Sequence, residues 1–230
     1  MNLLEKEQLI QEQAIALETA SAEEIIRYAV QTFPNITFAC SFGAEDVVLV
    51  DMVQKISPGT DIFYLDTDFH FEETYHTRDR LVAKYNMEFV RVAPVLSPEE
   101  QAAQHGDTLW QVNPNQCCNI RKVEPLTRIL SQYDAWITGI RRDQAPTRAN
   151  AKKIEYDNKF GLVKFNPIAD WTQDEVWAYI REHDVIYNPL HDQNYPSIGC
   201  HYCTRQVMPG EDPRAGRWSG NEKTECGLHK

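Results

Sequence analysis

The residues with the most chemistry are the cysteines, six in 230 residues. Cys117 and Cys118 are adjacent, and Cys200-His201-Tyr202-Cys203 is a C-x-x-C. Four thiols in two groups, far apart in sequence, suit a metal centre that ties the C-terminal third to the body. Four thiolates fit either structural zinc or an iron–sulfur cluster, although an adjacent pair is unusual for zinc. A redox-active C-x-x-C is the alternative, but the thioredoxin-type βαβ context is absent there. Neighbouring buried structural cysteines are the plain alternative; the spacing favours a metal site. Cys40, at the end of an apolar run, reads as a small core residue. Cys226 is different. It lies in the polar tail Lys223-Thr224-Glu225-Cys226-Gly227-Leu228-His229. Lys223 and His229 nearby favour a thiolate, so Cys226 reads as an exposed nucleophile or, failing that, a spectator surface thiol.

A second centre of chemistry is the stretch Ile36 to Asp51. An alternating β-type run, Ile36 to Cys40, leads through Ser41-Phe42-Gly43-Ala44 into a helical run with Val47, Val48, Leu49 and Val50. Strand, small-residue loop and helix is an anion-binding layout, because free backbone N–H groups and the helix dipole converge on one point. Gly43 permits close backbone approach, and Ser41 offers a hydroxyl. No lysine follows the loop, so this is not a Walker A sequence. Cationic help must come from elsewhere. Lys122 lies four residues after Cys118, on the same face of a helix. Arg141, Arg142 and Arg148 follow an apolar strand, and Arg214 and Arg217 precede Cys226. Each alone reads as a solvated charge; together they sit where an anion should bind. His70, His76, His105, His183 and His191 have no metal-type spacing and read as packing or surface residues.

The elements that must position these groups alternate. Helices are expected over Leu3–Ala20 and from the capping box Ser21-Ala22-Glu23-Glu24 to Phe33. Strands follow at Ile36–Cys40, at Asp61–Leu65 before Asp66-Thr67-Asp68, at Glu88–Val92, and at Ala135–Gly139. Helices are expected over Glu72–Tyr85, after Ser97-Pro98-Glu99-Glu100, over Cys117–Leu130 despite Pro125, and from Thr172-Gln173-Asp174-Glu175 to His183. Asn113-Pro114-Asn115 reads as a chain break. Ile154–Tyr156 and Leu162–Phe165 read as a hairpin at a sheet edge. Such alternation predicts an α/β fold with a doubly wound, mostly parallel sheet, in which ligands bind at the carboxyl ends of the strands. From Tyr187 onward the chain is loop-rich.

Composition bounds the function. A net charge of −11 argues against a nucleic-acid surface. No apolar run is long enough to span a membrane. The start, MNLLEKEQLIQEQAIALETA, lacks the basic start and apolar core of a signal peptide. A cytoplasmic protein with reduced thiols is expected. There is no internal repeat and no boundary between domains.

The motifs Ser41-Phe42-Gly43-Ala44-Glu45-Asp46, Leu65-Asp66-Thr67-Asp68, Cys117-Cys118-Asn119-Ile120-Arg121-Lys122, Thr138-Gly139-Ile140-Arg141-Arg142-Asp143-Gln144, Cys200-His201-Tyr202-Cys203 and Glu225-Cys226-Gly227-Leu228-His229 occur in that order. In these the chain resembles the assimilatory adenylyl-sulfate/phosphoadenylyl-sulfate reductases over almost its whole length. The cysteine pairs together with Glu-Cys-Gly-Leu-His are specific to that family; the phosphate loop is shared with ATP pyrophosphatases. The resemblance implies an adenine nucleotide α-hydrolase-like sheet and a 4Fe-4S cluster on Cys117, Cys118, Cys200 and Cys203. It implies Cys226 as catalytic nucleophile, with Ser41, Gly43, Lys122, Arg148, Arg214, Arg217 and His229 binding the substrate. The implied reaction is reduction of adenylyl sulfate to sulfite and AMP through a cysteine S-sulfonate, in sulfate assimilation and cysteine biosynthesis. Thioredoxin or a glutaredoxin-like reductant supplies the electrons; 3′-phosphoadenylyl sulfate stays open as a second substrate. The implied organisation is one domain: N-terminal helices 1–34, a nucleotide- and cluster-binding body 35–208, and a mobile catalytic tail 209–230. Oligomeric state is open, a homo-oligomer included. One departure is visible: Asp68-Phe69-His70-Phe71 stands where a Gly-Arg-type run is common.

Two rival readings exist. An ATP pyrophosphatase-type adenylyltransferase would not need Cys226, and a non-enzymatic iron–sulfur sensor would need neither phosphate loop nor arginines. Adenylyl sulfate is expected to have the higher kcat/KM, because cluster-bearing members of the family generally prefer it. A clear kinetic preference for the 3′-phosphorylated nucleotide, measured as sulfite release, would contradict that expectation.

Overall fold

Short apolar strands buried on both faces require helices on both sides of a sheet, and the chain supplies them. The computed structural model describes residues 3–220, 223 and 225–228. Strands β1 (Ile36–Ala39), β2 (Asp61–Leu65), β3 (Val90–Val92), β4 (Ala135–Ile137), β5 (Ile154–Asp157) and β6 (Leu162–Phe165) form one sheet, ordered β3-β2-β1-β4-β6-β5. All neighbours are parallel except β5 and β6, the expected edge hairpin, which pair antiparallel with Tyr156 opposite Val163. Strand order runs outward from β1 on one side and from β4 on the other. The switch point between them opens a crevice at their carboxyl ends.

Alternation along β4 shows the double winding. Ala135 and Ile137 join a core with Phe38, Val48, Ile25 and Val163, while Trp136 faces a second core with Phe63, Leu126 and Leu130. The helices are α1 (Leu3–Ala16), α2 (Ala22–Thr32), α3 (Ala44–Ile56), α4 (Glu72–Tyr85), α5 (Pro98–His105), α6 (Leu109–Val112), α7 (Pro114–Cys118), α8 (Glu124–Leu130) and α9 (Gln173–Glu182). The three expected capping boxes form, at Ser21 with Glu24, Ser97 with Glu100 and Thr172 with Glu175.

Three details differ from expectation. The first helix ends at Ala16 rather than Ala20. Asn113 both stops α6 and starts α7, since its side-chain oxygen accepts the Gln116 N–H at 3.1 Å. The run Cys117–Leu130 is helical throughout but passes through a π turn, Asn119–Val123. That wider turn lies just ahead of Pro125, which has no N–H to give to a regular ladder.

Helix α3 runs through the interior, with Val47 to Val53 all buried. Its Asp51 is 2% exposed. It accepts hydrogen bonds from Tyr85 and Tyr179 at 2.7 Å each, and Lys55 lies 2.6 Å away. One carboxylate therefore joins α3 to the end of α4 and to α9. Burial pushes the Asp51 carboxyl up, but the Lys55 and tyrosine hydrogen bonds outweigh it and hold it below its ordinary value. The contribution is therefore present at neutral pH and is lost as acid protonates the group. Asp51→Ala should lower the urea midpoint by the equivalent of about 2–3 kcal/mol, the cost of leaving buried hydroxyls unpaired. A shift below about 0.5 kcal/mol, ordinary for a surface change, would remove Asp51 from this role.

Candidate active site

The carboxyl ends of β1, β2 and β4 open into a cavity of about 490 Å³. Its floor is the loop between β1 and α3. Phe42, not Gly43, takes the left-handed conformation there (φ 61°), and its ring is fixed against Tyr64 and Phe89. Gly43 is the N-cap of α3 and makes no side-chain cap, so the first N–H groups of α3 have no side-chain partner at that position. A Cβ on Gly43 would meet Ser41 Oγ at 3.5 Å, an ordinary contact, so the chain's own atoms do not demand glycine. Ser41 directs both its N–H and its hydroxyl to Asp46 Oδ2, at 2.6 Å each. Its hydroxyl thus braces the loop. Burial raises the Asp46 carboxyl to about 6 despite those hydrogen bonds.

Asp46 and its neighbour Gly139 are the residues that the sequence reading passed over. A Cβ on Gly139, just past β4, would lie 2.1 Å from Asp46 Oδ1. Glycine there lets the end of β4 touch the first turn of α3, whose Asp46 holds Ser41 of the loop after β1. The signal was present as Glu45-Asp46 and Thr138-Gly139, but only the fold shows that they meet. His70 and His191 also line the cavity, each with a ring nitrogen on a backbone carbonyl (Leu65 at 2.9 Å, Tyr195 at 2.9 Å). Burial lowers the pKa of both.

Of the expected cations, Lys122, Arg148, Arg214 and Arg217 line this cavity, and so does Cys226. Arg141 and Arg142 also line it, and all five of these arginines are engaged. Arg141 gives Nε and Nη2 to Glu45 Oε1 at 3.0 and 2.8 Å, and Arg142 binds the Ala151 carbonyl and Glu18. Arg148 forks onto Glu225, Nε to Oε1 and Nη2 to Oε2 at 2.9 Å each. Arg214 Nη2 reaches Glu225 Oε2 at 3.3 Å. Arg217 is held by Ser197 Oγ and the Ile198 carbonyl at 3.0 and 3.1 Å and lies over the Trp218 ring. A Cβ on Gly199 would lie 2.3 Å from Arg217 Nη2, so glycine is the seat of that guanidinium. His229 lies outside the described residues.

Cys117, Cys118, Cys200 and Cys203 line one small cavity beside the large one. The C-x-x-C turn docks by the His201 N–H on the Phe69 carbonyl at 2.8 Å, and Cys200 Sγ lies 3.4 Å from Thr67 Oγ1. Asp68 adopts φ 56°, which aspartate tolerates better than most residues, and pairs with both Arg91 and Arg121. That is what stands in place of the glycine-type run. Among the described residues no His, Asp or Glu shares the small cavity, and no three or more His, Cys, Asp or Glu side chains, these four thiols included, converge at metal-coordinating geometry. The donor set is thiol only. Burial first, then the neighbouring thiols, push Cys117 up to about 11 and Cys203 up to about 12. An iron–sulfur or zinc centre that bound Cys117 and Cys203 as thiolates would relieve that opposition, so the thiol set fits either. Lys122 lines both cavities; burial lowers its pKa, but Cys200, Cys118 and Cys226 outweigh that and raise it.

The segment after Pro209 is strapped down through Trp218. Arg205 N–H binds the Gly216 carbonyl, Trp218 N–H binds the Cys203 carbonyl, and Thr204 bridges to Arg217. Gly139→Ala should displace Asp46 and cost about 1.4 kcal/mol or more of AMP binding, a tenfold loss by calorimetry. Unchanged affinity would show that the loop does not depend on that contact.

The comparisons with known proteins agree with this geometry. A phosphoadenosine phosphosulfate reductase domain matches residues 35–206. An adenosine 5'-phosphosulfate reductase of Shouchella clausii is 53% identical over 215 residues, covering 93% of this chain and 89% of that one. The phosphoadenylyl-sulfate reductase of Candida auris superposes with a TM-score of 0.75 at 36% identity, covering 86% of this chain and 97% of that one. An FMN adenylyltransferase of Candida glabrata (TM-score 0.58, 13% identity, 84% and 63% coverage) shares the adenine nucleotide α-hydrolase-like fold alone. With the match spanning sheet, phosphate loop and both cysteine pairs, the chain belongs to the phosphoadenosine phosphosulfate reductase family.

Proposed function

We propose that the chain reduces adenylyl sulfate to sulfite and AMP, with Cys226 as nucleophile and thioredoxin or a glutaredoxin-like dithiol as reductant. We place this in sulfate assimilation leading to cysteine, in the cytoplasm, where thiols stay reduced. The observation that carries the reading is that Cys226 lines the same cavity as the α3 phosphate loop and, of the described residues, six cationic side chains, Lys122, Arg148, Arg214 and Arg217 among them.

The Cys226 thiolate attacks the sulfur of the sulfate group. A sulfur–sulfur bond forms, and the bond from that sulfur to the phosphate oxygen breaks. AMP leaves with the electron pair, its phosphate facing the N-terminus of α3. Charge on the sulfonyl oxygens in the transition state is stabilised by Lys122, Arg214 and Arg217. A thiolate of the reductant then attacks Cys226 Sγ. Sulfite departs with the electron pair of the sulfur–sulfur bond, and the second thiol of the reductant frees Cys226 as the reductant becomes a disulfide. Both electrons come from the dithiol.

The thiol-only cavity supports a 4Fe-4S cluster held by Cys117, Cys118, Cys200 and Cys203. When bound, such a cluster supplies a compact charged centre next to Lys122 and staples the C-x-x-C turn to the body. In this reading residues 1–34, 35–208 and 209–230 act as one domain. The strap that joins residues 203–205 to Gly216, Arg217 and Trp218 supports that union.

Incubating the protein with adenylyl sulfate and no reductant should leave one SO₃ group on Cys226, read by intact-protein and peptide mass spectrometry. Cys226→Ser should keep the visible absorbance of a bound cluster and bind nucleotide but form neither adduct nor sulfite. An adduct on another cysteine, or turnover by the Ser variant, would overturn the assignment.

A further inference from the structure

Glu225 takes no part in the chemistry above, yet its side chain is only 6% exposed and it lies one residue from Cys226. Its two oxygens accept from Arg148 Nε and Nη2, and Oε1 also accepts from Thr147 Oγ1 at 3.1 Å. Arg214 closes on Oε2. A forked guanidinium–carboxylate pair fixes direction as well as distance. Burial raises the Glu225 carboxyl, but Arg148 first and then Arg214 outweigh it, so the group is held ionised.

The other side of Cys226 is fastened too. The Gly227 carbonyl accepts from Lys159 Nζ, and Leu228 packs against the core that holds Trp136. Gly227 itself turns in the left-handed region (φ 86°), which favours glycine. The nucleophile therefore lies on a short span between two anchors, one ionic and one apolar.

Resting on the reading of Cys226 as nucleophile, we propose that Glu225 is a positioning residue: its carboxylate docks the catalytic arm on Arg148 and Thr147, and so sets where Cys226 meets the sulfate. Arg148 thereby serves the reaction through the arm, whatever it contributes to the nucleotide. A different role for Glu225, as mere counter-charge to Arg148 and Arg214, makes different predictions. A counter-charge can be shifted by a methylene without consequence, and its removal strengthens binding of an anion. A positioning group tolerates neither loss of charge nor shortening.

The test uses the complete protein with its metal centre, and Glu225→Gln and Glu225→Asp. Visible absorbance reports the metal centre, calorimetry reports AMP affinity, and quenched single-turnover mass spectrometry reports the rate of Cys226 S-sulfonation by adenylyl sulfate. Both variants should keep wild-type absorbance and AMP affinity, yet form the adduct about 10- to 100-fold more slowly, the scale of a misplaced reacting group. A wild-type rate in Glu225→Asp with tighter AMP binding in Glu225→Gln would make Glu225 a counter-charge and overturn the proposal. So would adduct formation at the wild-type rate in Glu225→Gln. If the wild type itself carries its adduct on another cysteine, the nucleophile reading fails first, and this proposal with it.

Discussion

Like charges gathered around one cavity repel unless each has an opposite partner, and this constraint organises the site. An acidic chain of net charge −11 brings Lys122, Arg148, Arg214 and Arg217 to the mouth of a parallel sheet. The acidic residues that balance the neighbouring arginines come from distant parts of the sequence. Glu45 of α3 takes Arg141, Asp68 after β2 takes Arg121, and Glu225 of the tail takes Arg148. Each pair closes one loop of the crevice onto another. Charge neutralisation and loop placement are therefore the same interaction, and an anion entering the cavity meets groups already held in place.

The cysteine pairs belong to this scheme. Cys117 and Cys118 end α7, and the π turn that follows carries Arg121 and Lys122. Cys200 and His201 dock on the Thr67–Phe69 loop, and the strap from Cys203 and Thr204 to Trp218 and Arg217 fixes a cation of the large cavity. Thiols and nucleotide loop thus share walls: Lys122, Arg217 and Trp218 line both cavities. A metal centre there would influence the substrate site through residues already named, without carrying electrons to it.

Much of this was legible in the sequence because it rests on local rules. The capping boxes at Ser21, Ser97 and Thr172, the edge hairpin around Asp157-Asn158-Lys159, and the strand–loop–helix at Ile36 to Asp51 are set by neighbours within a few residues. The membership of the cation set followed from loop positions at one sheet edge. What was not legible depends on contacts across the fold. The Ser41 hydroxyl was expected to face an anion, but a buried Asp46 five residues on takes both of its donors. The left-handed turn at Phe42 has no local signal either; the ring of that residue is held by Tyr64 and Phe89, from β2 and the chain before β3. Arg141 could not be told from Arg148 by sequence; their difference is which carboxylate lies within reach. Gly139 and Gly199 look like ordinary glycines until Asp46 and Arg217 are seen to occupy the space of a side chain.

The central claim is that Cys226 and the nucleotide share one cavity, and cysteine labelling tests it directly. The alkylation rate of Cys226 by iodoacetamide, followed by peptide mass spectrometry, should fall by about tenfold or more under saturating AMP, as expected when a bound ligand covers a reactive thiol. Labelling of Cys226 at the same rate with and without AMP would place the thiol outside the nucleotide site and contradict the account.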